Sequence, residues 1–189
     1  FNQELQKLPD AVKDFSRAIE IAPRQASFPF ERGTIYLRLK QFGKALTDFN
    51  RSLDLDPTQI RCRVNRALTY KNLGQPAKAL ADFDRAIELA PTFAPAYINR
   101  GYLHRSQKRL EKALQDFNRA IQVAPNHPTG HLARGDLLRK REQHQEAAIS
   151  LRRYLQLVPR SPQRAEIEKY MAKHPAAGTT PSKTRQKSR

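Results

Sequence analysis

The sequence predicts an all-α solenoid of stacked antiparallel helix pairs. Three observations carry that reading. The stretch from Ala79 to Pro91, ALADFDRAIELAP, recurs thirty-four residues earlier at 45–57 and thirty-four later at 113–125. A further copy stands at 11–23 and a looser one at 147–159. Pro23, Pro57, Pro91, Pro125 and Pro159 are therefore evenly spaced, with no insertion between them. Inside each copy the apolar residues follow helical spacing, as in Val12, Phe15 and Ile19 with Ala11 and Ala18 on the same side. A fixed period of this length marks units that cannot bury an apolar face alone and do so by stacking.

Taken in order, residues 1–8 read as the end of a helix, with Leu5 and Leu8 as its apolar remnant. Pro9 and Asp10 are expected to open the next helix, since proline is tolerated in a first turn and an acid suits its positive end. Pro23 closes that helix, because the residue before a proline resists the α conformation. Four helix pairs follow. The first helices are predicted at 28–39, 60–73, 94–107 and 128–141, and the second at 44–55, 76–89, 110–123 and 145–157. The turns between them are short, as at Gly74-Gln75 and Lys108-Arg109, which forces an antiparallel arrangement. Ser161 is a good N-cap and Pro162 a good first residue for a last helix with Ile167, Tyr170 and Met171 on one face. Beyond His174, Pro, Ala, Gly, Thr, Ser, Lys and Arg dominate, and a disordered basic tail is expected. The organisation is thus a partial unit at 1–25, full units at 26–59, 60–93, 94–127 and 128–161, a capping helix at 162–173 and the tail at 174–189.

The 189 residues carry a net charge of +17. The last 17 residues hold five basic residues and no acid, so the first 172 still carry +12. Such an excess favours acidic partners or polyanions. A single cysteine, Cys62, rules out an internal disulfide framework and is compatible with a reducing, cytoplasmic compartment. No apolar run approaches the roughly 20 residues of a membrane helix. The chain begins with Phe1 rather than Met, so sequence upstream of it is expected to exist.

These residues resemble the tetratricopeptide repeat. That pattern asks for a small eighth residue, an aromatic eleventh, Ala at the twentieth place, an aromatic twenty-fourth, Ala at the twenty-seventh and a proline at the thirty-second. The eighth place holds Gly33, Ala67, Gly101 and Gly135; the eleventh holds Tyr36, Tyr70, His104 and Leu138. The twentieth holds Ala11, Ala45, Ala79, Ala113 and Ala147, and the twenty-fourth holds Phe15, Phe49, Phe83, Phe117 and Leu151. The resemblance covers about 1–159 and implies a right-handed solenoid whose first helices line a concave groove for a peptide. Independently of it, small residues at the eighth and twentieth places let paired helices approach closely, with large apolar residues filling the gap. A second pattern is internal. Arg32, Arg66, Arg100 and Arg134 each stand eighteen residues after Asp14, Asp48, Asp82 and Asp116, which suggests an ion pair reaching back to the preceding unit, the alternative being an arginine ladder aimed at a ligand.

No enzyme motif is present: there is no Gly-rich phosphate loop, HExxH, GxSxG or CxxC. His127 and His131 are four apart, but Pro128 lies between them and a core role suits His131 better than a metal. Neither a cofactor nor a catalytic residue is expected. Function is expected from a surface. The resemblance points to Phe30, Arg38, Arg61, Val64, Asn65, Lys71, Ile98, Asn99, Tyr102, Arg105, Leu132, Arg139 and Lys140 as groove residues. Phe30, Val64, Ile98 and Leu132 form one apolar row, which either offers pockets or packs neighbouring first helices. The cations would select acidic side chains or a terminal carboxylate. The clamp that some relatives use for chaperone C-termini is broken, since Phe30 and Thr34, or Val64 and Leu68, occupy its lysine and asparagine places. The expected function is a non-enzymatic scaffold that binds a protein or peptide, acidic in character. The alternatives are RNA or another polyanion on the basic surface, and an accessory segment of a larger enzyme.

Overall fold

The computed structural model describes residues 2–175, with side chains from Leu8 onward. The described residues form ten α-helices and no strand: α1 (Asn2–Ile21), α2 (Ser27–Arg38), α3 (Phe42–Leu55), α4 (Ile60–Asn72), α5 (Pro76–Leu89), α6 (Ala94–Ser106), α7 (Leu110–Val123), α8 (Pro128–Lys140), α9 (His144–Leu157) and α10 (Arg164–Lys173). The chain is an all-α repeat solenoid. α2 to α9 make four hairpins, each packed on the next. The basic tail expected after His174 lies almost wholly outside the described residues.

Two local devices repeat and set the hairpin geometry. Before each closing proline the chain leaves the helix: Asp56, Ala90, Ala124 and Val158 have φ of −143°, −141°, −141° and −130°. The proline ring disfavours the α conformation at the residue it follows. Within each hairpin the first helix ends on a left-handed residue. Lys40, Gly74, Lys108 and Glu142 have φ of +57°, +69°, +60° and +60°. The next N–H then reaches back to an orphan carbonyl, Gln41 to Tyr36, Gln75 to Tyr70, Arg109 to His104 and Gln143 to Leu138, at 2.8–3.0 Å.

The hairpin interiors hold the core. Ala45, Ala79, Ala113 and Ala147 are fully buried, as are Phe49, Phe83, Phe117 and Leu151. Each large side chain lies against the small eighth-place residue of its partner helix. At Gly33, Gly101 and Gly135 a methyl group would come within 2.9, 2.6 and 2.7 Å of Phe49, Phe117 and Leu151. Cys62 and His131 are buried as well, where their helices meet the preceding unit. Burial pushes the Cys62 thiol up to about 11, and the His131 ring bonds the Pro125 carbonyl at 2.8 Å.

The structure corrects two boundaries. α1 runs unbroken through Pro9, where the sequence suggested a new helix. An interior proline costs about 3 kcal/mol. Leu8, Val12, Phe15 and Ile19 nevertheless lie on one stripe of a single helix packed on α2, and Leu8 and Ile19 are buried. At the other end, α10 begins at Arg164 rather than Pro162. Ser161 is buried, shares a hydrogen bond of 2.9 Å with the Tyr154 hydroxyl, and accepts the Gln163 N–H at 3.2 Å. Its oxygen closes a turn two residues long instead of capping the helix.

Candidate peptide-binding groove

The solenoid is curved, and the contacts between alternate helices give the sense of the curve. α2 touches α4, α4 touches α6 and α6 touches α8, whereas no two of α3, α5, α7 and α9 touch. First helices are therefore crowded on the inner face and second helices splayed on the outer one.

The expected groove residues divide on this face. Phe30, Val64 and Ile98 are 8%, 5% and 3% exposed, so most of the apolar row is buried in the core against neighbouring helices instead of offering pockets. Leu132 is half-buried against the α9–α10 cluster. The edge of Val64 survives as a wall of a cleft of about 240 Å³ between α4 and α6, together with Arg61, Asn65, Leu68, Phe93, Pro95 and Asn99. Each asparagine has already committed one donor: Asn65 Nδ2 to Thr34 Oγ1 at 3.1 Å, and Asn99 Nδ2 to the Pro95 carbonyl at 2.8 Å. Phe93 was not anticipated. It lies in the turn entering α6, and the only sequence signal was an aromatic residue two places after a repeat proline.

The cations fall into two groups. Arg61 lies 5.7 Å from the Phe30 ring centroid and Arg105 4.9 Å from that of Tyr102. Burial raises the Tyr102 pKa, with Arg105 opposing it, and Tyr102 makes an edge contact with Phe117 at 5.3 Å. Arg61, Lys71, Arg105 and Lys140 make no ion pair among the described residues. Arg139 is engaged: it meets Glu166 of α10 at 2.9 Å, Asp136 at 3.7 Å and the Tyr170 ring at 5.6 Å. Asp136 is half-buried, and burial raises its pKa against the pull of Arg139 and Arg105. Arg38, Lys71 and Lys140 are exposed near the ends of their helices. The structure thus gathers Arg61, Val64, Asn65 and Asn99 into one place and leaves Arg139 and Lys140 two helices away, beside α10.

The arginine series is real, but its pairing is not the one the sequence suggested. Arg32, Arg66 and Arg100 each pair with the aspartate sixteen residues later, on the second helix of their own unit. Arg32 Nε and Nη2 donate to Asp48 at 2.8 and 2.7 Å, Arg66 to Asp82 at 2.8 and 2.7 Å, and Arg100 to Asp116 at 3.0 and 2.6 Å. The third nitrogen reaches back sixteen residues, to Ser16, Asn50 and Asp84 at 2.9, 2.9 and 2.6 Å. The antiparallel hairpin places the seventh residue of one helix beside the twenty-third, so the nearest acid lies within the unit. For Arg32 and Arg66 the aspartate's hydrogen bonds raise the pKa; for Arg100 burial opposes and two acids overcome it. Such forks fix helix orientation as well as adding energy.

Comparisons agree with this architecture. Family models described as tetratricopeptide repeat match residues 33–98, residues 94–127, and residues 3–60 with 117–162. No curated protein matches. Among solved structures, a thermophilic TPR protein of Thermus thermophilus, TTC0263, superposes with a TM-score of 0.76 at 18% identity, over 90% of this chain and 93% of that one. YrrB, titled a TPR protein with an unusual peptide-binding site, gives 0.64 at 20% identity over 88% and 86%. The first TPR of Spaghetti (RPAP3), bound to the HSP90 peptide SRMEEVD, gives 0.58 at 24% identity over 62% and 94%.

Proposed function

The chain belongs to the tetratricopeptide repeat family, and from that premise we propose that it is a non-enzymatic interaction module that holds an acidic peptide segment on its inner face. The observation that carries the reading is the α4–α6 cleft. It combines an apolar floor at Val64 and Leu68, two asparagine carbonyl oxygens, and Arg61 at its rim, with Arg105 further along α6. An extended segment laid there would seat a small apolar side chain between Leu68 and Pro95. Its backbone N–H groups would donate to Asn65 and Asn99. Its carboxylates would meet Arg61 and Lys71, which make no ion pair among the described residues, and Arg105, which otherwise acts on the half-buried Asp136. Two neighbours whose titles name peptide binding, YrrB and the RPAP3 repeat, lend the reading support by analogy of fold. The HSP90-type terminus is not the proposed ligand, because the clamp places hold Phe30, Thr34, Val64 and Leu68.

The test is a selection of random displayed peptides on the full chain, followed by calorimetry of the winners. Acidic winners that weaken by about 10-fold or more in Arg61→Glu/Arg105→Glu are the expected result. Winners with no acidic bias, or indifferent to that pair, would overturn the reading. If RNA homopolymers bind more tightly than any peptide, with affinity falling steeply in salt, the polyanion alternative takes its place.

A further inference from the structure

The fourth rung of the arginine ladder keeps its arginine and lacks its acid. Sixteen residues after Arg134 stands Ser150, and sixteen before it stands Asn118. Ser150 is 1% exposed and its hydroxyl donates to the Glu146 carbonyl one turn back in its own helix, at 3.0 Å. Arg134 makes no hydrogen bond or ion pair among the described residues, although its side chain is half-buried. Burial pushes its pKa down, with Glu146 opposing, the reverse of the three paired rungs.

There is open volume on both sides of this guanidinium. On one side lies a cavity of about 250 Å³ walled by Leu114, Asn118, Leu138, Gln143 and Glu146. Shifted by one repeat, its walls are those of a cleft of about 350 Å³ that holds Arg100 with Asp84 and Asp116. The fourth cavity is the same place with both aspartates removed and with Glu146 where Lys112 stands. On the other side Arg134 borders a cleft of about 560 Å³ with Asn118, Arg119 and Gln122, where Arg119 donates to Gln122 at 2.6 Å. Most of these walls come from α7 and the start of α9, with α8 supplying Arg134 and Leu138, so the site is not the cleft between first helices on the inner face.

We propose that Arg134 and Asn118 form a carboxylate-binding site, which takes an aspartate or glutamate side chain of a protein partner where residue 150 supplies none. The chemistry is read from the molecule itself. In three preceding units the corresponding guanidinium, on the same backbone positions, holds a carboxylate through two parallel bonds of 2.6–3.0 Å. A planar fork selects a planar two-oxygen acceptor. Asn118 offers an amide where Asp84 stood, so the incoming acid meets a donor instead of a like charge. The internal competitor is Glu146, which is exposed on α9 and can swing toward Arg134.

Arginine-labelled full chain, observed by NMR at the Nε–Hε signals, tests the site. The Arg134 signal is assigned by its loss in Arg134→Lys. Sodium acetate is titrated at constant ionic strength against chloride, with parallel arms of sodium phosphate and of a blocked Ala-Glu-Ala peptide beside its Gln counterpart. Saturable movement of the Arg134 signal with acetate and with the Glu peptide, absent with chloride and the Gln peptide, is the expected result. Ser150→Asp, which restores the missing acid, should weaken acetate binding by about 10-fold or more, the scale of one charge-assisted fork. Glu146→Gln should bind acetate at least as well as the parent. No saturable shift in the parent chain would overturn the proposal. So would acetate binding that appears only in Glu146→Gln, because Glu146 then fills the place. Phosphate binding tighter than acetate would replace the carboxylate site by a general anion site. If Ser150→Asp unfolds, the parent and Arg134→Lys titrations still decide.

Discussion

Gly101→Ala adds one methyl group and should destabilise the fold. The new Cβ would sit 2.6 and 2.9 Å from two Phe117 ring carbons and 3.2 Å from the Asp116 Cβ. Comfortable carbon–carbon contact needs about 3.5–4.0 Å, so α6 and α7 must part by roughly 1 Å. Neither neighbour can yield alone. Phe117 is fully buried with Tyr102 edge-on at 5.3 Å, and Asp116 is held by the Arg100 fork. Overpacking of this kind costs about 1–3 kcal/mol, against which alanine's better helix propensity returns at most about 1 kcal/mol. The net expectation is a loss of about 1–2 kcal/mol, or roughly 2–8 °C in Tm for a chain of this length. Gly43→Ala is the control: it lies early in α3 and its methyl would meet nothing within 4 Å. Ala67 shows that a hairpin built around a methyl is attainable, since it faces Phe83 at the equivalent place in the neighbouring unit. Urea unfolding followed by circular dichroism compares the three chains. A Gly101→Ala midpoint equal to or above that of Gly43→Ala would refute the packing argument.

Other consequences can be read in the same assay. Asp116 is 5% exposed, so Asp116→Asn leaves the Arg100 fork half-satisfied at a buried place and should cost about 2–4 kcal/mol. Asp84→Asn, whose side chain is 53% exposed, should cost well under about 1 kcal/mol. His104 is buried in the place of Tyr36 and Tyr70, its Nδ1 has no partner among the described residues, and burial holds its pKa below 6.5 despite Asp116 at 3.9 Å. The unfolded chain therefore binds this proton more readily, so the histidine's contribution is present above pH 6.5 and is lost as pH falls through the folded value. His104→Tyr should remove that component, so its Tm should fall less than the parent's between about pH 7.5 and 5.5; parallel curves would contradict it. Lys108 holds a left-handed φ of +60° where Gly74 holds +69°, so Lys108→Gly should stabilise by up to about 1 kcal/mol, and a lower midpoint would count against the strain.

The helix pairs were legible in the sequence because their signals are local. α5 and α7 begin and end at the residues expected, and α4, α6 and α8 each end one residue early, because proline, glycine and apolar spacing act within a few residues. Pro9 shows where local rules lose. Its penalty is outweighed by a stripe from Leu8 to Ile19 whose partner is α2, which no local window contains. Ser161 shows the same, since its hydroxyl meets Tyr154, seven residues back. The candidate groove was legible as a set of positions on first helices, not as a surface. Whether Phe30, Val64 and Ile98 are pockets or core depends on how far α2, α4 and α6 are rotated against each other, and packing buries them.

By itself the sequence determined the repeat, its period, the helix hairpins and the small-against-large pairing inside them, because each is written in residues that are neighbours along the chain or one period apart. Only the tertiary structure decided which acid each ladder arginine takes. Spacings of sixteen and eighteen residues are equally regular in the sequence, and the antiparallel hairpin makes the first one short. It likewise decided that Arg139 is already met by Glu166 and that Arg134 has open volume on both sides. Those facts depend on where side chains from separate helices converge, and a one-dimensional period cannot fix an angle between helices.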